Sequence, residues 1–393
     1  PSRIPEGMLV LSGDVLLLFN PLQIDFNYHG AAAISMKEHV QTGKEHGVFL
    51  NDGNDYVGQF LHKQSEEHLR ELGAVNSQDN VDLDTGAVIM DTDLLQSLYG
   101  LISTDGRTDE QKFSEFVNEE ARISFYGDFL YPLARSATLE QYYREAAEGT
   151  INERLLGCRA KIWEALSPFS MKLICLSPAE FIHFGTTTEL RRLVTADVED
   201  YEFLDWKKQV STTAPETSAY AAHNSYVGKR ARIACGAYLE DSYVLDESVV
   251  GKGSVISNVK LRNVTVPENV VLHGLKLLDG RYVVRIYGVE DNPKGTLEKD
   301  AYFLGTTLSA FLSDNGLTPE ALWKDREHYL WFAALYPAAD TMEEAIRSAL
   351  LVKKMAEHSA SPEEIEAWKN KERMSLYSSF NGADVLAISK WQH

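Results

Sequence analysis

The sequence predicts an α/β domain followed by a parallel β-helix and a helical C-terminal segment, and three observations carry that prediction. Strand-length apolar runs ending in Gly-containing turns recur through the first 206 residues, spaced too widely for a β-sandwich. Aliphatic residues then recur every five or six positions from Val227 to Val270, with small residues and Gly between them. Beyond Glu290, apolar series at i, i+3 and i+4 follow Ser, Thr or Pro start signals.

The first apolar run, Leu9 to Leu18, is broken only by Ser12-Gly13-Asp14, which suits a buried strand with one carboxylate presented at its tip. Strands are also expected at Val57 to Lys63, with a basic end, at Asp84-Thr85-Gly86 through Asp91, at Met171 to Leu176, and from Phe181 into Gly185-Thr186. Helices are expected from a Ser65 cap, and over Leu94 to Ile102, Leu139 to Glu148 and Arg154 to Ser167. Asp128, beside Gly127, is a candidate substrate contact or a turn cap. A Thr-capped helix start after Gly185 offers an N-terminus that favours an anion.

Residues 207–219 have no apolar period and read as a linker between the α/β domain, 1–206, and the β-helix, 220–290. In a hexapeptide β-helix each face of the coil contributes one inward aliphatic, and a single coil buries too little to stand alone. The expected inward set is Val227, Ile233, Leu239, Val244, Val250, Val255, Leu261, Val264 and Val270, enough for roughly three coils. His223 and His273, at its margins, read as packing or surface residues. Arg281 to Val289 reads as a closing strand. The remainder, 291–393, reads as a helical connector in which Trp323, Trp331, Phe332 and Tyr336 form a core cluster.

A formal charge of −20 excludes broad binding to a nucleic-acid backbone; an anionic nucleotide would need a locally basic pocket or a metal. No apolar run approaches the roughly 20 residues of a membrane span. Cys158, Cys175 and Cys235 lack metal or disulfide spacing, which fits buried thiols in a cytoplasmic protein. Opening at Pro1 directly before a strand, the chain reads as a piece of something longer.

Ser12-Gly13-Asp14-Val15-Leu16, Phe60-Leu61-His62-Lys63, Asp84-Thr85-Gly86 and His183-Phe184-Gly185-Thr186-Thr187, followed by a β-helix, form an ordered set. In that set the chain resembles the sugar-1-phosphate nucleotidylyltransferases, in particular the fucose-1-phosphate guanylyltransferase branch with its bifunctional fucokinase/GDP-fucose pyrophosphorylases. The resemblance implies a nucleotidyltransferase-like α/β domain, partial at its start, and a left-handed β-helix. It implies synthesis of GDP-fucose from fucose-1-phosphate and GTP with release of pyrophosphate, in a parent chain that also carries fucokinase. Asp14 matches the family's Mg²⁺-binding Asp, and Lys63 matches a Lys that contacts the sugar phosphate. Asp84, Thr85, Gly86 and Asp128 would face the sugar, and His183, Gly185 and Thr186 would complete the site. His183 stands where the broader family has a second metal-binding Asp, and Pro is absent after Lys63. The family's opening Gly-rich loop is expected upstream of Asp14 and a kinase beyond the helical tail. The alternative is a non-catalytic sugar-nucleotide-sensing or assembly module, and under either reading the β-helix is a candidate oligomer interface.

Overall fold

A computed structural model describes residues 6–118, 120–145 and 150–389, in two units, 1–183 and 184–393. The first is built on a mixed sheet. Its strands are β1 (Gly7–Leu11), β2 (Val15–Phe19), β3 (Gly30–His39), β4 (Gly47–Asn51), β5 (Val57–His62) and β6 (Asn80–Asp91). After helices α1 (Thr92–Ile102) and α2 (Glu153–Leu166) come β7 (Ser170–Leu176) and β8 (Ala179–His183). The main sheet runs β5-β4-β6-β3-β7, with β1 added against β6; only β3 and β7 are parallel.

Period-two alternation explains how β3 serves two cores. Ala31 and Ala33 pack with Phe49, Phe60, Val88 and the helical Leu94, Ile162 and Leu166, whereas Ala32 and Ile34 face Ala87, Ile174 and Leu176 on the other side. Leu17 and Phe19 of β2 help cover that second face, where an apolar cavity of about 660 Å³ lies between β2 and Ile34, Ala87 and Ile89.

The strand expected over Leu9 to Leu18 is two strands in two sheets. β1 pairs with β6, and β2 leaves to pair with β8, with Val15 opposite His183. Neither is buried as a central strand would be: Leu9 and Leu11 are 56% and 60% exposed. Ser12-Gly13-Asp14 is therefore an edge-strand corner, not the tip of a central strand. The helix expected over 139–148 is present as Leu139–Arg144, and residues 146–149 lie outside the described set.

The second unit opens with α3 (Thr187–Thr195) and contains a parallel β-solenoid of about four turns. One face stacks the strands at Gln209–Val210, Ala221–His223, Tyr238–Glu240, Val255–Ser257 and Val270–Lys276; the other two stack three short strands each. The division between units falls after His183 rather than at 207–219, and the expected linker supplies the first rung through Gln209 and Val210. Short polar text can still form a rung because its pairing partner comes from the next coil.

Val227, Leu239, Val244, Val250, Leu261 and Val270 are buried inside as expected. Two expected positions slip: Ile256 points inward while Val255 joins an outer cluster with Tyr238 and Val271, and Val266 replaces Val264 as the residue paired with Val250. The closing strand, Tyr282–Gly288, runs antiparallel and continues the sheet into Tyr336–Ala339 and Arg373–Met374. The C-terminal part is helical, but its helix Met342–Ala356 and the buried Trp323, Trp368 and Tyr336 share the solenoid core instead of leading away from it. Cys158 is buried; Cys175 and Cys235 are exposed, contrary to expectation.

Candidate active site

The most irregular point of the first unit is the middle of β6. Along one edge β6 is paired to β4 only through Asp82 and Leu83, and to β1 only from Ala87 to Asp91. On its other edge the ladder with β3 jumps from Ser35 opposite Asp84 to Ile34 opposite Ala87. Asp84, Thr85 and Gly86 thus sit in a bulge with a gap beside it, a geometry that redirects side chains out of the regular pleat. Asp84 is buried, its Oδ1 accepts the Gly86 amide at 2.9 Å, and burial raises its carboxyl to a pKa of about 6 against that hydrogen bond.

Gly47 opens β4 directly against this carboxyl. A Cβ there would lie 2.9 Å from the Asp84 Cβ and 2.8 Å from Phe60, so only Gly permits the approach. The preceding residue, His46, accepts the Lys63 amide at its carbonyl (2.9 Å), which fixes the end of β5, where Lys63 itself is exposed in a left-handed conformation (φ 47°). The His46 ring meets the His183 ring edge-on at 4.7 Å, and His183 Nε2 lies 3.5 Å from Asp14 Oδ2. One chain of contacts joins Asp14, His183, His46 and the Lys63 backbone. Lys63 and the half-exposed Asp14 carboxylate offer solvent-facing charges of opposite sign, the requirement for holding a phosphate and a metal counter-ion.

Other expected residues are engaged elsewhere. The Thr85 hydroxyl is buried and donates to the Ile34 carbonyl of β3 at 2.6 Å, across the β6 bulge. Asp128 is fully buried: Oδ1 accepts from Arg159 Nε at 2.7 Å, Oδ2 accepts the Ser124 amide at 2.6 Å, and its carbonyl accepts the Tyr142 hydroxyl. Such a carboxylate is a core ion-pair partner, not a sugar contact. Gly185 and Thr186 belong to the second unit. There the N-terminus of α3 is filled by a capping box: the Glu189 carboxylate accepts from the Thr186 amide and hydroxyl at 2.9 and 2.8 Å. The helix end predicted to attract an anion has its own.

Sequence reasoning missed His46, His62, Ser12 and Tyr126. His46 carries no local signal, since it precedes an ordinary strand. Ser12 and His62 lie in motifs whose signal is a neighbour, Asp14 or Lys63, and Tyr126 lies two residues before Asp128. Among the described residues the one group of three acidic or His side chains close enough to share a metal is His29, Asp91 and Asp93. Asp91 there already accepts the Leu94 amide as the cap of α1 and the Gly30 amide with its other oxygen.

The fucose pyrophosphorylase domain family matches residues 1–341. The chain belongs to that family. It is 28% identical over 392 residues to fucose-1-phosphate guanylyltransferase of Mus musculus, covering 89% of this chain and 66% of that one. It is 24% identical to the Homo sapiens protein of the same name, over 96% of this chain and 67% of that one. The bifunctional fucokinase/GDP-fucose pyrophosphorylase of Arabidopsis thaliana is also 24% identical, over 94% of this chain but 36% of its own length. The chain thus spans about two thirds of the mammalian relatives and about one third of the plant relative. No described helix is long and apolar enough to cross a membrane.

Proposed function

We propose that this chain takes part in guanylyl transfer to fucose-1-phosphate, with the first unit as its nucleotidyltransferase-type catalytic part and with the solenoid of the second unit wound left-handed. A phosphate oxygen of fucose-1-phosphate attacks the α-phosphorus of GTP; the new P–O bond forms as the bond to the bridging oxygen of pyrophosphate breaks, and pyrophosphate leaves with the electron pair. Such a displacement needs in-line positioning and charge neutralisation more than a protein nucleophile. The observation that carries the reading is the cluster of Asp14, His183 and His46 beside the Lys63 backbone, in a chain of this family.

In this reading Lys63 meets the sugar phosphate and Asp84, in its bulge, accepts from sugar hydroxyls. His183 orients Asp14 through the 3.5 Å contact. Asp14 would supply one hard carboxylate oxygen to a Mg²⁺. When bound, that ion neutralises phosphate charge. Family membership disfavours the purely sensing or assembly module.

Pyrophosphate release from GTP and fucose-1-phosphate in the presence of Mg²⁺ is the test. Asp14→Asn is expected to lower turnover by roughly 10²–10³-fold, the scale of losing one charge-stabilising group. In the full-length protein, an Asp14→Asn variant that releases pyrophosphate as fast as the wild type would overturn the proposal.

A further inference from the structure

Three stretches of the site are far apart in sequence, and one side chain touches all of them. The Tyr126 hydroxyl hydrogen-bonds the Ser12 hydroxyl, two residues before Asp14 and 114 positions away in the chain. Ser12 in turn donates its amide to the Gly86 carbonyl at 3.0 Å, two residues after Asp84. Gly86 has φ 70°, and a Cβ on it would lie 2.9 Å from the Ser12 Cβ and 3.2 Å from the Tyr126 hydroxyl, so the phenol packs over a bare Cα. The Tyr126 ring also stacks on His62, the residue before Lys63, with ring centroids 6.3 Å apart and planes 12° from parallel.

Both carboxylates, Asp84 and Asp14, act on the phenol. Burial, above all, raises it beyond its usual range; the Ser12 hydrogen bond opposes that shift, and the charges of Asp84 and Asp14 add to it. Tyr126 is itself held from behind. It lies in a single π-helical turn, Phe125–Leu130, which Asp128 closes through the Ser124 amide and anchors to the buried Arg159. π-turns of this kind recur where a helix must present one side chain out of register. The buried pair therefore has a reason to be there: it fixes the turn from which Tyr126 reaches the site.

We infer that Tyr126 is a positioning residue of the phosphate-binding site, joining the Ser12-Gly13-Asp14 corner, the Asp84-Thr85-Gly86 bulge and the end of β5 into one constellation. The inference rests on the reading of Asp14, Lys63 and Asp84 as substrate contacts. Its physical logic is that Asp14 stands in an exposed corner of an edge strand, and transfer chemistry tolerates displacements of only about 0.5 Å. Ser12 bonded to Tyr126 removes that freedom.

Tyr126→Phe deletes the hydroxyl and keeps the ring on His62. The expected result is faster amide exchange in residues 7–19, a KM for fucose-1-phosphate raised about tenfold, a KM for GTP raised with it through Asp14, and a thermal midpoint within a few degrees of the wild type. Ser12→Ala should reproduce this, and the double variant should be no worse than either single one, because both remove the same hydrogen bond. Wild-type exchange and kinetics in Tyr126→Phe, alongside a collapse of turnover in Asp14→Asn, would overturn the positioning role and leave the site reading standing. If neither substitution changes turnover, both readings fall. Additive effects of Ser12→Ala and Tyr126→Phe would also overturn the inference.

Discussion

The solenoid and the site-bearing sheet solve opposite problems. In the solenoid every rung repeats its predecessor, so Val227 stacks below Val244 and then Leu261, and Leu239 below Ile256 and Leu272, with all of them buried. In the first unit the sheet breaks its repeat around the site: the bulge at Asp84, the gap beside it, and the corner where β1 and β2 part. Regular stacking buries aliphatic surface inside the coil and satisfies backbone groups from one rung to the next. Irregular pairing does the reverse, leaving Asp14 and Lys63 exposed and Asp84 buried beside a gap. Stability is concentrated in one pattern and chemistry in the other.

The sharpest way to break this comparison is to place a charge inside the repeat. Leu239→Asp buries an unpaired carboxylate at a fully buried rung and is expected to cost about 4 kcal/mol or more, abolishing cooperative unfolding of the second unit in a denaturant titration. A variant as stable as the wild type would show that the coils do not depend on their interior. In the first unit the equivalent vulnerability is an ion pair, not an aliphatic. Arg159→Met leaves Asp128 buried without its cation, for an expected loss of about 3–5 kcal/mol, read from the denaturation midpoint. An equal loss in Asp84→Asn would contradict the division between anchoring and chemical carboxylates.

Asp84 sharpens the comparison through pH. Its folded pKa, about 6, lies above its ordinary value of 3.8, so the folded state holds the proton more tightly than the unfolded chain does. The stability it contributes is full below about pH 4 and is lost as pH rises through about 6, a change of about 3 kcal/mol for a shift of roughly two units. Asp84→Asn, which cannot ionise, should therefore gain on the wild type progressively between pH 4 and 7 in paired unfolding titrations. A constant difference across that range would remove the buried, proton-holding carboxyl from the site. The smallest effect concerns register. Val266→Ala should cost about 2 kcal/mol and Val264→Ala less than about 1, and the reverse order would restore the spacing expected from sequence.

Much of the second unit was legible because its order is local. An aliphatic every five or six residues specifies a coil wherever the chain goes next, and the helices after Glu290 follow from start signals a few residues long. The errors there, Val255 for Ile256 and Val264 for Val266, arise because β-branched residues one or two positions apart satisfy a period equally well until the neighbouring coil selects one. Strands at Val57–His62 and Ser170–Leu176 were legible for the same reason.

By itself the sequence determined which short motifs carry chemical groups, that a repeat follows them, and that the chain has no charge surplus for nucleic acid. Only the tertiary structure decided which member of each motif is presented. Asp128 and Tyr126 stand two residues apart in one motif, yet a π-helical turn sends the carboxylate into the core with Arg159 and the phenol to Ser12. Thr85 and Asp84 are neighbours, yet the β6 bulge gives one hydroxyl to a backbone carbonyl and leaves the carboxyl against Gly47. Motifs are set by residue type over a few positions, whereas presentation depends on contacts between segments a hundred residues apart, and those contacts exist only once the chain has folded.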